Sequence, residues 1–454
     1  MFINDIHEIF DESCAPVNLN NVKISSLSFA DDLVVLSETE SGLKNCIKAL
    51  EKYCDKWGLK VNIKKTKILV FNRPLSKKVK QIHCEIDGKR IDIVKSYTYL
   101  GIDVTNTGNF QLACKSLYQK SLRALFSLYA AISPKSDVPN SKLLLKLFDC
   151  LIKPILLYGA EIWGPHVAQP GNVITKFVNK FYRTLLGVPN HASTAGVHLE
   201  LGRHPIAVNI YTTMLKYWAR LVTLPRSTLV SHCYWSLYNN DSVLSDPWFR
   251  TIRNIIYSTG NKKLWDDQVA LSSMPFKSLL KSLSPTFKNV KIQYLQFHTD
   301  KCGVESRLSI FKKSKETFGI SNFISLNTAY YTRSLLAKLR LGVLPLELEK
   351  GRRVGLDRDN RFCKICKNNV IEDEAHFIFD CPSFTAIRET YLFKLLNLVP
   401  FLSLMNSSAK LNYLYFSEKT PPKALYWAAR LLNDLWSART TLLSLLPKIK
   451  KILQ

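Results

Sequence analysis

Acidic residues are scarce in this chain: 36 Asp and Glu stand against 63 Lys and Arg, leaving a formal charge of +27 spread over all 454 residues. That deficit favours a polyanionic partner, because cations that displace condensed counterions bind phosphates whatever the base sequence. Nucleic acid comes first and a membrane surface second. Long apolar runs are also lacking. The most apolar stretch, residues 143–158, is interrupted by Lys146, Asp149, Lys153 and Pro154, so no segment reads as a transmembrane helix. The opening MFINDIHEIFDE has no basic region followed by an apolar core, so the reading expects no secretory leader. The eleven cysteines are odd in number and mostly single, which argues against a disulfide framework and for a reducing, intracellular compartment, cytoplasmic or nuclear. Hydrophobic residues make up 46% of the chain, enough for several folded domains and too many for disorder.

What is present is organised around Val22 to Leu36, VKISSLSFADDLVVL. Val22, Ile24 and Leu27 approach a turn and Leu33 to Leu36 leave it, so the pattern predicts a β-hairpin of buried strands with Asp31 and Asp32 at its tip. Two adjacent carboxylates repel and resist desolvation unless a cation lies between them. Mg2+ suits the pair, since it takes carboxylate oxygens together with substrate phosphates. A solvated turn is the plain alternative, and Asp266-Asp267, with no strand pattern around it, reads as such a pair.

Phe29-Ala30-Asp31-Asp32 resembles the catalytic hairpin of reverse transcriptases, those of non-LTR (LINE-type) retrotransposons in particular. The following segments keep the family's order. Thr39 or Ser41 caps a helix with an apolar stripe of Leu43, Ile47, Leu50, Cys54 and Trp57, ended by Gly58. Gly58 to Phe71 is similar to the family's Gly, Asn and Lys-Thr segment before a palm strand, which makes Lys65 a nucleotide-phosphate contact. Asp87-Gly88 is a hairpin turn. Tyr99-Leu100-Gly101 resembles the primer grip, the turn that holds a primer's 3′ end toward the metals. Helical periodicity from Phe110 to about Val188 fits a thumb, and Tyr158 to Gly164, YGAEIWG, matches a stretch that recurs in these elements. Tyr330, Tyr331, Arg333, Lys338 and Arg340 mix aromatics with cations, as either a strand-binding surface or an ordinary helix face would.

A second motif is Cys363-x2-Cys366, with nine residues to His376 and four more to Cys381. Two thiolates two residues apart, joined by a His and a third Cys, make a closed tetrahedral set with no open position, the pattern of structural Zn2+. Free buried thiols or a redox pair are the alternatives. Arg352, Arg353, Arg358 and Arg361 lie just upstream and point to nucleic acid. Gly351-Arg352 and the acidic Glu372-Asp373-Glu374 resemble the family's C-terminal knuckle.

The expected fold class is therefore α+β: a partial reverse-transcriptase palm sheet over 1–108, a helical thumb over 109–225, a helical linker over 226–345, a zinc knuckle over 346–400 and closing helices over 401–454. The resemblance implies RNA-directed DNA polymerisation with two Mg2+ ions held through Asp31 and Asp32, a structural Zn2+, RNA and DNA as template and primer, and an element-encoded RNA-binding partner. It also implies that the fingers and a third metal-binding carboxylate lie outside this chain, so that the chain alone is expected to be inactive. The other readings are a zinc-dependent nucleic-acid-binding protein without catalysis and a remnant gene product without a role.

Overall fold

A computed structural model describes residues 5–19, 22–71, 82–135, 141–168, 171–240, 242–304, 308, 311–312, 315 and 317–452. The chain divides into two compact units, one of Met1–Leu117, Gly159–Gln169 and Ile210–Thr286, the other of Tyr118–Tyr158, Pro170–Asn209 and Phe287–Gln454.

In the first unit ten short strands form five two-stranded pairs. β1 (Val17–Leu19) pairs with β2 (Val22–Ile24), and β3 (Ser26–Phe29) with β4 (Asp32–Val35). β5 (Lys67–Leu69) runs parallel to β8 (Asp92–Val94). β6 (Glu85–Ile86) pairs with β7 (Lys89–Arg90), and β9 (Ser96–Tyr99) with β10 (Ile102–Thr105). Among the described residues the partial palm sheet expected from the sequence is made of separate two-stranded pairs that do not join. Strands of two to four residues bury too little to recruit a second edge, and a helix covers their apolar side instead.

That helix is α1 (Glu40–Trp57). The Thr39 side chain accepts from the Gly42 N–H, and Gly58, at a φ of 63°, closes it in the left-handed conformation. Gly42 itself is forced, since a Cβ there would lie 2.5 Å from the Cys14 carbonyl and 2.6 Å from Ala15 Cβ. One flank of α1 packs Cys46 against Phe10, Cys14, Leu33 and Val35; the other packs Ile47 against Ile68, Cys84, Ile86 and Ile91. Trp57, expected in this stripe, is 48% exposed: it sits on the last turn, beyond the strands that cover the rest. Ahead of the strands, Ile6–Ile9 forms a 3-10 turn whose Ile6 is buried.

The second unit is helical. The expected helix over 143–157 runs as Ser141–Leu147, a π turn at Phe148–Ile152 and Lys153–Leu156. Pro154 has no N–H to donate to the turn before it, and the wider turn absorbs the break. Val173–Leu186 ends at Gly187, as its periodicity predicts. The helix Tyr330–Arg340 is core rather than a binding surface: Arg333 and Arg340 are both buried.

In the same unit His198 and His298 stack with ring centroids 5.2 Å apart, both buried. Burial pushes the His198 ring down to about 3 and the His298 ring to about 4, and both His298 nitrogens are buried without a hydrogen-bond partner. Unfolded, each takes a proton near pH 6.5, so between pH 6.5 and 4 the unfolded chain binds more protons and stability falls as pH falls. Denaturant unfolding should show a loss of about 3 kcal/mol between pH 7.5 and 5.5, full stability above 6.5, and half that slope in His298→Leu.

Candidate catalytic hairpin and metal centre

The β3–β4 hairpin turns through Ala30 and Asp31, with Phe29 opposite Asp32, and Ala30 holds a φ of 54°. A two-residue hairpin turn needs positive φ to match the strands' twist, so the backbone at Ala30 is held where glycine is usually preferred. Register sorts the side chains. Leu33 and Val35 lie on the α1 side, while Leu27, Phe29, Asp32 and Val34 share the opposite face. That face is open, with Phe29 63% and Leu27 38% exposed, so the expectation of two buried strands is corrected: one face alone is covered. Asp31 and Asp32 are exposed at the tip, and among the described residues no third carboxylate, histidine or thiol joins them. Asp266, the comparison pair's first member, is likewise exposed and accepts from Tyr257 Oη at 2.5 Å.

Lys65 lies in the turn before β5, its N–H bonded to the Asn62 carbonyl (3.0 Å) and side-chain oxygen (3.2 Å), so the asparagine shapes the loop and leaves the exposed ammonium outward. Leu100 and Gly101, at φ of 46° and 82°, make the tight turn of the β9–β10 hairpin after Tyr99. Behind it, a Cβ on Gly159 would come 2.8 Å from Ile102 Cδ1, and Trp163 is fully buried. The YGAEIWG glycine therefore lets the chain approach this hairpin, a role its sequence did not disclose.

In the second unit, the donor atoms of Cys363, Cys366, His376 and Cys381 all lie within 4.8 Å of one another, with Cys366 Sγ 3.6 Å from His376 Nε2. Local structure explains the spacing. Cys363 N–H bonds the Val370 carbonyl (2.8 Å), closing a knuckle whose Lys367 and Asn369 take positive φ. His376–Asp380 is a π turn in which the Cys381 N–H reaches the His376 carbonyl at 2.7 Å, so residues five apart converge. Asp373 caps it, accepting from the His376 N–H at 2.8 Å. Burial pushes the Cys363 thiol up to about 12 and raises Cys381 as well. A divalent cation inverts that preference, and three thiols with one imidazole at this separation are the donor set and size of a tetrahedral metal site.

The surroundings were not legible in the motif. Glu372, buried against Cys363, receives two hydrogen bonds from Arg439, at 2.8 and 2.7 Å, and its Oε2 also accepts from the Glu347 N–H at 2.7 Å. Arg439 belongs to the helix Pro422–Ile452, and the clue it left is a lone cation continuing the stripe Ala428, Leu432, Leu435. The upstream arginines, read as a nucleic-acid surface, are largely engaged within the protein. Arg352 and Arg353 both pair with Glu349, and Arg361 donates to the Leu356 and Leu348 carbonyls. Gly351 leaves room for the Arg361 stem, which would lie 2.6 Å from a Cβ there.

Comparisons with known proteins bear on the first unit most directly. Residues 1–104 match the family model described as reverse transcriptase (RNA-dependent DNA polymerase). The chain is 26% identical over 201 residues to a probable RNA-directed DNA polymerase from transposon BS of Drosophila melanogaster, covering 43% of this chain and 22% of that protein. It is 22% identical over 210 residues to the RNA-directed DNA polymerase from mobile element jockey of the same fly, covering 44% and 22%. A putative uncharacterized transposon-derived protein of Caenorhabditis elegans is 24% identical over 147 residues, 32% of this chain and 51% of that protein. The aligned part thus spans about a fifth of the two fly relatives and about half of the nematode one. No described helix is long and apolar enough to cross a membrane. Hairpin, segment order and relatives agree: residues 1–104 are similar to reverse transcriptases, and the fly relatives are RNA-directed DNA polymerases of mobile elements.

Proposed function

We propose that this chain supplies the metal-binding hairpin and strand-holding parts of an RNA-directed DNA polymerase, with Asp31 and Asp32 as Mg2+ ligands, Lys65 facing nucleotide phosphates, and Tyr99, Leu100 and Gly101 holding the primer end. The observation that carries it is the tight β3–β4 turn, which sets two adjacent carboxylates at an exposed tip inside the segment matched to the family. Two exposed carboxylates fit a Mg2+ ion shared with substrate phosphates and water better than a closed protein cage. Bound there, the ion would polarise the reacting phosphate and lower the pKa of a primer hydroxyl. Residues 1–108 act as palm and 109–225 as thumb; residues 226–345 link them to the knuckle at 346–400, which holds a structural Zn2+, with 401–454 as its packing helices.

Polymerisation by this chain unaided is not part of the proposal, because Asp31 and Asp32 lack a third ligand among the described residues. The same observation favours the second reading, a zinc-dependent nucleic-acid-binding protein without catalysis. Two measurements separate them. Mn2+ bound in the presence of a deoxynucleotide, read by electron paramagnetic resonance, should fall at least tenfold in Asp31→Ala under the first reading and stay unchanged under the second. Single-turnover primer extension on an RNA template should show no Mg2+-dependent product with the chain alone; robust extension abolished by Asp31→Ala would establish an autonomous polymerase instead.

A further inference from the structure

A row of exposed lysines on α1 makes a second charged surface, separate in sequence from the hairpin carboxylates. On α1, Lys44, Lys48, Lys52 and Lys56 recur every fourth residue, so they form one ladder, each step rising about 6 Å along the helix. The apolar residues Leu43, Cys46, Ile47 and Tyr53 lie on the opposite side, which packs on the strands. Lys44 pairs with Glu40 at 2.9 Å, whereas Lys48, Lys52 and Lys56 are exposed with no carboxylate in ion-pair range among the described residues. Of the other acids on the helix, Glu51 is turned to the Asp87 N–H at 2.9 Å, leaving Asp55 exposed among the lysines.

A row of like charges four residues apart destabilises a helix, and Glu40 at Lys44 and Asp5 near Lys56 offset it only at its two ends. At its end stands Trp57, the indole that periodicity assigns to the core and the structure leaves half exposed, with the Lys56 ammonium 5.3 Å from its ring centroid. Cations tracking a backbone beside an exposed aromatic face are what non-specific single-strand binding uses: lysines neutralise phosphates and the ring stacks on a base. The contrast with the knuckle is direct, since Arg352 and Arg353 there are already paired with Glu349.

We infer that the lysine ladder of α1 binds single-stranded nucleic acid, with Lys48, Lys52 and Lys56 on consecutive phosphates and the strand passing over the helix's C-terminal end, where a base stacks on Trp57 beside Lys56. The surface lies outside the proposed catalytic residues and needs neither divalent metal nor nucleotide, so its test is separate from that of polymerisation.

The test is fluorescence anisotropy of the full chain with a labelled oligo(dT) and an oligo(U), without divalent metal, over a salt series. Lys48→Gln/Lys52→Gln/Lys56→Gln should lower the slope of log K against log salt by about 2, close to 0.7 per phosphate contact. Trp57→Ala should weaken binding roughly tenfold with the slope unchanged. The triple Lys→Arg variant should keep the parental slope. If the triple glutamine variant fails to fold, Lys52→Gln alone should lower the slope by about 0.7. An unchanged slope in the glutamine variants overturns the inference, as does an unaffected affinity in Trp57→Ala. Lysine-dependent binding to phosphatidylserine vesicles, with oligonucleotide binding unaltered, would assign the face to a membrane and overturn it equally.

Discussion

Stripping zinc from the purified chain is expected to collapse the module around Cys363, Cys366, His376 and Cys381 and to release one metal per chain. The donor atoms lie within 4.8 Å of one another, and without a cation burial favours the protonated thiols of Cys363 and Cys381 in a space sized for a tetrahedral ion. Structural zinc contributes apparent free energies of about 10–16 kcal/mol in isolated finger peptides; here packing by surrounding helices leaves a smaller share to the metal, still several kcal/mol. Charge explains the neighbours. Three thiolates and a neutral imidazole around a bound Zn2+ would carry one net negative charge and Glu372 another, which the buried Arg439 guanidinium would offset from a different helix. Cys381→Ser should therefore abolish stoichiometric zinc, read by chelator-coupled colour release, and lower the melting temperature. Glu372→Ala should keep most of the zinc yet cost about 3 kcal/mol, because the buried Arg439 loses its two hydrogen bonds to Glu372 and keeps only Glu347, 3.7 Å away. Purification without zinc, with thiols equally reactive toward a disulfide reagent whether or not zinc is supplied, would rule out the metal site.

The parts of this architecture that could be read in advance are those whose cause is local. Thr39 and Gly58 at the ends of α1, Asp87-Gly88 and Leu100-Gly101 as hairpin turns, and Gly187 closing its helix all act within a few residues, where cap and turn chemistry is decided. The convergence of Cys363, Cys366, His376 and Cys381 was legible because a knuckle and a π turn fix their spacing. The misreadings share another cause: burial is set by what lies opposite, and periodicity does not say what that is. Leu27, Phe29 and Trp57 have the pattern of core residues but no covering element, whereas Arg333 and Arg340 have the pattern of a surface and are enclosed. Arg439 was invisible for the same reason, its carboxylate partner being 67 residues away.

Arg340 gives the second large effect. Its guanidinium bridges the fully buried Glu200 at 2.6 and 3.2 Å and donates to the Tyr415 and Phe416 carbonyls at 2.6 and 3.1 Å; Ser321 completes the set by donating to Glu200. One cation thus ties its own helix to two stretches of the second unit that lie 75 and 140 residues from it in sequence. Glu200→Gln keeps the shape but removes the charge, leaving the guanidinium buried among Phe311, Phe323 and Phe416 without a counterion. Denaturant unfolding should show a loss of about 3–5 kcal/mol. Arg340→Met should lose a comparable amount, since the stranded group is then a carboxylate. The double variant Glu200→Leu/Arg340→Met should recover part of it, because an apolar pair of similar volume needs no desolvation of charge. The pair Lys67–Asp92, at 2.7 Å with an exposed carboxylate, supplies the control: Asp92→Asn should leave stability nearly unchanged, solvent screening having already removed most of the pair's value. Equal effects at the two pairs would mean that Arg340 is hydrated and that its aromatic surroundings do not exclude water.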